Sequence, residues 1–331
     1  MSRFARSRLG TILAVAAGFA AAQPAYSASS IVLSQVPAPA LGRPLPANIY
    51  IPDGKAPEGG WPVLYLLHGH DGNEESWKNL GDIKSTLDRL IAEGTVQPVL
   101  VVMPGVGNSW YVDSAGVGGP GNYQTAMTND LVQWVEASYP VRSDAGGRAV
   151  AGLSMGGFGA LHLAYSNPKA YGAVASMSGA IWDNVPDEDV GKTPDELKLI
   201  ADSAFFHRID RYTIDTGRIL PSTGDHYAGA FGSPFDAQLF NAQNVFTLAQ
   251  DAVDADLELP RTYLTVGDDD GFNLWRGAIA LHETLLADGR SSELRITDGD
   301  HVWSLWKVAI KDVLVFIDAQ WTAPPQPAGA E

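Results

Sequence analysis

The sequence contains no cysteine, which excludes disulfides, thiolate nucleophiles and zinc-thiolate sites but leaves the redox compartment open. Basic residues are scarce: 22 Lys and Arg stand against 38 Asp and Glu, for a formal net charge of -16. Nucleic acid and anionic membranes both need clustered Lys and Arg, so neither is an expected partner, whereas uncharged or cationic small molecules meet no such barrier. Long apolar runs are missing as well. The uncharged stretch from Leu9 to Ala22 has 14 residues, fewer than the roughly 20 that span a bilayer. It follows Arg3, Arg6 and Arg8 and leads into small residues around Gln23 and Pro24, the pattern of a secretory signal peptide. Residues 1–28 are therefore expected to be a leader cleaved after Ser27 or Ala28, and the protein to be secreted or periplasmic without a stable membrane anchor. Loss of the leader removes three Arg and no acid, which takes the net charge to -19.

With 45% hydrophobic and 18% charged residues among 331, the remainder has the composition of a globular chain able to bury one large core. Ile31 to Val36 and Ala47 to Ile51 read as an entry hairpin, the prolines at 37, 39, 44 and 46 forbidding helix between them. Nearly continuous apolar runs follow at Trp61–Leu67, Val99–Met103, Arg148–Leu153, Tyr171–Ser178 and Arg261–Val266, the signature of strands buried on both faces. Between them lie helical spacings such as Tyr123, Met127, Leu131 and Val135. Strands alternating with helices predict an α/β protein with a mostly parallel sheet covered on both sides. A catalytic domain is expected over 29–321 and a disordered tail over 322–331. Residues 179–258, rich in aromatics (Trp182, Phe205, Phe206, Tyr227, Phe231, Phe235, Phe240), are expected as an inserted helical cap; a larger helical layer is the other reading.

The chemistry concentrates at Gly152-Leu153-Ser154-Met155-Gly156-Gly157, between a strand-like and a helix-like segment. This is the G-x-S-x-G nucleophile elbow in the context that the motif requires. A serine hydroxyl needs a base to accept its proton and an acid to orient that base. Of the seven histidines, His301 lies in a turn after the last strand-like segment and before the final helix, and is the candidate base. His226 is the fallback, and His282 sits mid-helix. The acid is expected after the strand at Arg261–Val266, where Asp268, Asp269 and Asp270 compete and Asp270 is preferred. A calcium loop is the rival reading of this acidic run, but its ligand alternation and twelfth-position Glu are missing, so no metal is expected. Backbone N-H groups of Met155 and His70 are the candidate oxyanion donors. His68-x-His70-Asp71 invites a metal reading as well, but the histidine wanted after the Asp is absent. Trp110, Tyr111, Trp303 and Trp306 are candidates to line the substrate site.

Leu66-Leu67-His68-Gly69, Met103-Pro104 with Asn108-Ser109-Trp110-Tyr111, the serine motif and His301-Val302-Trp303-Ser304-Leu305-Trp306 together resemble the esterase D / putative esterase family, over about residues 31–319. The resemblance implies an α/β-hydrolase fold without a cofactor. It also places the acid three residues past the strand-ending glycine, as Gly267 to Asp270 does. Family members include feruloyl and acetyl-xylan esterases, S-formylglutathione hydrolases, enterochelin-esterase-like proteins and mycolyltransferases. The expected activity is hydrolysis of a small-molecule or carbohydrate ester through an acyl-enzyme. An acyltransferase of mycolyltransferase type is the alternative, and a non-enzymatic carbohydrate-binding or adhesion protein the rival from another class.

Overall fold

The computed structural model describes residues 28–200, 211–223 and 225–322. The expected leader, apart from Ala28, lies outside them, as do Phe205, Phe206, His207 and the tail beyond Thr322. Among the described residues no helix is long and apolar enough to cross a membrane.

Eight strands form one sheet: β1 (Ser30–Val36), β2 (Leu45–Ile51), β3 (Val63–Leu67), β4 (Leu100–Pro104), β5 (Arg148–Leu153), β6 (Ala173–Met177), β7 (Arg261–Gly267) and β8 (Ser292–Thr297), in the order β1-β2-β4-β3-β5-β6-β7-β8. The β1–β2 hairpin is antiparallel and joins antiparallel to β4, while every pairing from β4 to β8 is parallel. All residues of β3, β4 and β6 are buried, because alternate side chains enter two cores on opposite faces. Val63, Tyr65 and Leu67 pack with the helix Met155–Ser166, whereas Leu64 and Leu66 pack with the helices Ile83–Ala92 and Trp303–Thr322. The helical spacing from Tyr123 is realised as a π-helical segment, Ala126–Leu131, between two short α stretches.

The described part of the segment between β6 and β7 joins the core of the sheet. Tyr227, Phe231, Phe235 and Phe240 are all at most 8% exposed. Phe231 meets Phe240, Tyr227 and the helix residue Phe158 edge-on, at centroid separations of 5.2, 5.1 and 6.1 Å. Phe231→Ala is accordingly expected to lower unfolding stability by about 3–5 kcal/mol while leaving the ratio of kcat/KM values across p-nitrophenyl esters unchanged. A changed ratio would place Phe231 in the acyl or alcohol pocket instead.

The parallel strands carry their C-terminal ends to one edge, where ligands gather in open α/β sheets. The turns after β3, β5, β7 and β8 bring His70, Ser154, Asp270 and His301 there.

Candidate active site

Ser154 joins β5 to the helix Met155–Ser166 with φ 54 and ψ -121, a backbone geometry that L-residues avoid unless the surroundings impose it. The glycines on either side are required by contact. A Cβ on Gly152 would fall on the Gly156 carbonyl, and one on Gly156 would fall on the His68 carbonyl. The turn thus holds the serine against the loop after β3. Met155 is the first residue of the helix, so its N-H has no intrahelical acceptor and lies at the positive end of the helix dipole.

His301 Nε2 is 2.9 Å from Ser154 Oγ and its Nδ1 is 2.7 Å from Asp270 Oδ2. Because a carboxylate only accepts, Nδ1 carries the proton, and Nε2 is left to accept from the serine hydroxyl. Phe272 and Trp306 meet the imidazole edge-on at 4.9 and 5.0 Å. Asp270 is 1% exposed, and its Oδ1 accepts the Phe272 N-H at 3.0 Å. The neighbouring carboxylates face solvent, and Asp268 accepts the Gly299 N-H at 3.2 Å. Burial therefore separates three chemically identical side chains. Asp300, which the sequence did not single out, ties the loops bearing Asp270 and His301 together. Its Oδ1 accepts the N-H of Gly271 at 3.1 Å and of His301 at 2.6 Å. The carboxylates of Asp268, Asp269 and Asp298 lie within 4.8 Å of one another at the surface, an arrangement that exposed acids adopt without an ion.

The loop after β3 is anchored from below. Trp77 Nε1 donates to the Leu67 carbonyl at 2.9 Å and the Tyr111 hydroxyl to the His68 carbonyl at 2.9 Å. His68 accepts the Val106 N-H on Nε2 at 3.1 Å, so its Nδ1-H donates to the Gly69 carbonyl at 2.7 Å. Both ring nitrogens are thus committed to the backbone in the neutral form. Burial pushes the His68 imidazole down to about 4, and that of His162, packed beneath the sheet, to about 4 as well. Since both titrate near 6.5 in an unfolded chain, the unfolded state binds more protons between these values, and stability is lost as pH falls from 6.5 towards 4. Each histidine is expected to cost on the order of 2 kcal/mol by pH 4.5, seen as a lower urea midpoint than at pH 7. Equal midpoints would contradict the two buried neutral imidazoles.

A cleft of about 290 Å³ opens over Ser154, lined by His70, Leu80, Phe272, His301, Trp303 and Trp306 among others. Trp303 meets Trp77 and Trp306 edge-on at 5.2 and 5.4 Å, which fixes an aromatic wall. The structure does not bring Trp110 and Tyr111 to this cleft. They are 2% and 0% exposed, Trp110 inside the aromatic cluster with Tyr227 and Phe231 and Tyr111 beneath the β3 loop. No described residue of 179–258 lines the cleft either.

A family model described as "Putative esterase" matches residues 38–317. A Xylanibacter ruminicola protein named endo-1,4-beta-xylanase/feruloyl esterase is 32% identical over 165 residues, covering 48% of this chain and 22% of that protein. Esterase Rv1288 of Mycobacterium tuberculosis is 37% identical over 230 residues, covering 62% of this chain and 49% of that protein. The chain therefore spans about half the length, or less, of these curated relatives. Among solved structures, a ferulic acid esterase superposes with a TM-score of 0.65 at 23% identity, covering 88% of this chain and 99% of that one. The likeness is one of fold, that of the α/β hydrolases.

Proposed function

The chain belongs to the putative esterase family, and from that premise we propose that it is an exported serine carboxylic-ester hydrolase whose nucleophile is Ser154. The observation that carries the reading is the unbroken relay from Asp270 through His301 to Ser154, with both hydrogen bonds at or below 2.9 Å. Ser154 Oγ attacks the ester carbonyl and its proton passes to His301 Nε2, while the buried Asp270 carboxylate stabilises the imidazolium that forms. The N-H groups of Met155 and His70 hold the oxyanion of the tetrahedral intermediate. His301 then gives its proton to the departing alcohol as the acyl-oxygen bond breaks. Water, deprotonated by the same imidazole, releases the acid from the acyl-enzyme and regenerates the serine.

The apolar wall of Leu80, Phe272, Trp303 and Trp306 supports an aromatic or short apolar acyl group, and the feruloyl esterase relative points the same way. The leader pattern at residues 1–28 supports export. An alcohol entering in place of water would make the same acyl-enzyme an acyltransferase intermediate. The discriminating experiment offers methyl ferulate and p-nitrophenyl esters of graded chain length, with and without a sugar acceptor. Hydrolysis favouring feruloyl and short acyl groups, with free acid as the product, is expected. Acylated sugar as the main product would assign the transferase instead, and no turnover of any ester would overturn the reading.

A further inference from the structure

The His70 side chain is used by none of the steps above, yet it is held on both sides. Its Nε2 lies 2.8 Å from the His226 carbonyl oxygen, which belongs to the segment between β6 and β7. That oxygen also accepts the Trp110 indole N-H at 3.2 Å, and Trp110 is 2% exposed. The acceptor is therefore fixed from the core. On the other side Nδ1 lies 3.2 Å from Asp71 Oδ2, in ion-pair range. Asp71 in turn is locked to the loop after β4, its N-H donating to Asn108 Oδ1 at 2.8 Å and its Oδ1 accepting the Asn108 amide at 2.9 Å. The Asn108 amide, with the neighbouring His70 imidazole next, holds the Asp71 carboxyl below the usual carboxylate range.

A neutral imidazole has one N-H, so between two acceptors it satisfies one and turns a lone pair on the other. Only the imidazolium donates to both. We propose that protonated His70 is a positioning residue for acyl transfer, clamping the loop after β3 between Asp71 and the His226 carbonyl so that the His70 backbone N-H stays aimed at the oxyanion. The proposal rests on the esterase reading through that N-H. Of the other titratable groups, His226 on the segment between β6 and β7 meets the His70 ring at 6.1 Å, and His301 lines the same cleft. Burial, with the neighbouring His70 imidazole next, pushes the His226 imidazole down to about 4.

Two requirements of opposite sign then act on the rate. His301 must be neutral to accept the serine proton, and His70 must be charged to hold its loop. Activity is expected to rise and then fall with pH, the fall being the loss of the His70 clamp. Oxyanion donors act in the transition state more than on bound substrate, so the loss should appear in kcat rather than KM.

The test is kcat and KM for p-nitrophenyl acetate from pH 5 to 10 in the wild type, His70→Gln and Asp71→Asn, with thermal unfolding of each. Expected are an alkaline fall in wild-type kcat and its displacement to lower pH in Asp71→Asn. In His70→Gln the fall should be absent, with kcat at pH 7 about tenfold lower and KM within about twofold. An alkaline fall that persists unchanged in His70→Gln, or that is missing from the wild type, overturns the proposal. A second readout needs no turnover: nitrogen NMR of the ring in Ser154→Ala should show both His70 nitrogens protonated at pH 6. An unprotonated Nδ1 at pH 6 overturns the clamp even if His70→Gln fails to fold. Should the wild type turn over no ester, the esterase reading fails by itself and the NMR result decides the clamp alone.

Discussion

Ser154→Ala is expected to lower kcat/KM for any ester substrate by at least about 10⁴-fold, because the members of a triad act as a unit and the residual rate comes from binding and the oxyanion donors alone. The fold should not notice. Ser154 donates its side chain only to His301, and its backbone is held independently, the N-H donating to the Met177 carbonyl and the carbonyl accepting from Gly157, Phe158 and Ala180. Removing a hydroxyl from this framework, at a φ of 54 in a turn that the flanking glycines permit, should leave the melting temperature within a few degrees. A variant that keeps a tenth of wild-type kcat/KM would remove Ser154 from the mechanism.

Asp270→Asn is the second large effect, expected at about 10³–10⁴-fold in kcat. The carboxylate is 1% exposed and accepts from His301 Nδ1 at 2.7 Å. A carboxamide of the same size cannot stabilise an imidazolium, and its NH₂ favours the tautomer with the proton on Nε2, where the serine needs an acceptor. The adjacent carboxylates provide the control. Asp268→Asn and Asp269→Asn alter exposed side chains, and Asp268 loses at most the charge assistance of its bond to Gly299, worth about 1 kcal/mol. Losses within about tenfold are expected for both. Equal losses at all three positions would mean that the acid has been misassigned.

The contrast between these three residues shows what the sequence could and could not reveal. The serine turn was legible because its requirements are local: Gly152 and Gly156 are demanded by backbone atoms a few residues away or one strand over. His301 was legible from its place between the last strand and the last helix. The sequence prefers Asp270 and the resemblance supports that preference independently, but Asp268, Asp269 and Asp270 carry the same chemistry and only the three-dimensional burial of one distinguishes them. The entry hairpin and the buried parallel strands announced themselves through proline placement and apolar runs.

Trp110 and Tyr111, expected at the substrate site, lie buried away from the cleft, and the sequence carries no sign of this for a related reason. Aromatics beside a polar loop look the same in sequence whether they face a ligand or a core, and the partners that bury them, Tyr227 and Phe231 for one and the His68 carbonyl for the other, are distant along the chain. The roles of His68 and Asp300 are not legible in the sequence because each acts on backbone N-H and carbonyl groups, which leave no pattern of residue types. Asp300 had one weak signal, its position directly before the candidate base.

Covalent labelling by a fluorophosphonate tests the central claim most directly, since it requires the nucleophile and its base but no particular substrate. The purified protein should gain the mass of one phosphonyl group. Peptide mapping should place that group on Ser154, and labelling should be lost in Ser154→Ala and strongly slowed in His301→Ala. No adduct on the folded wild-type protein, or an adduct on any other residue, would contradict the assignment of Ser154 as an activated nucleophile.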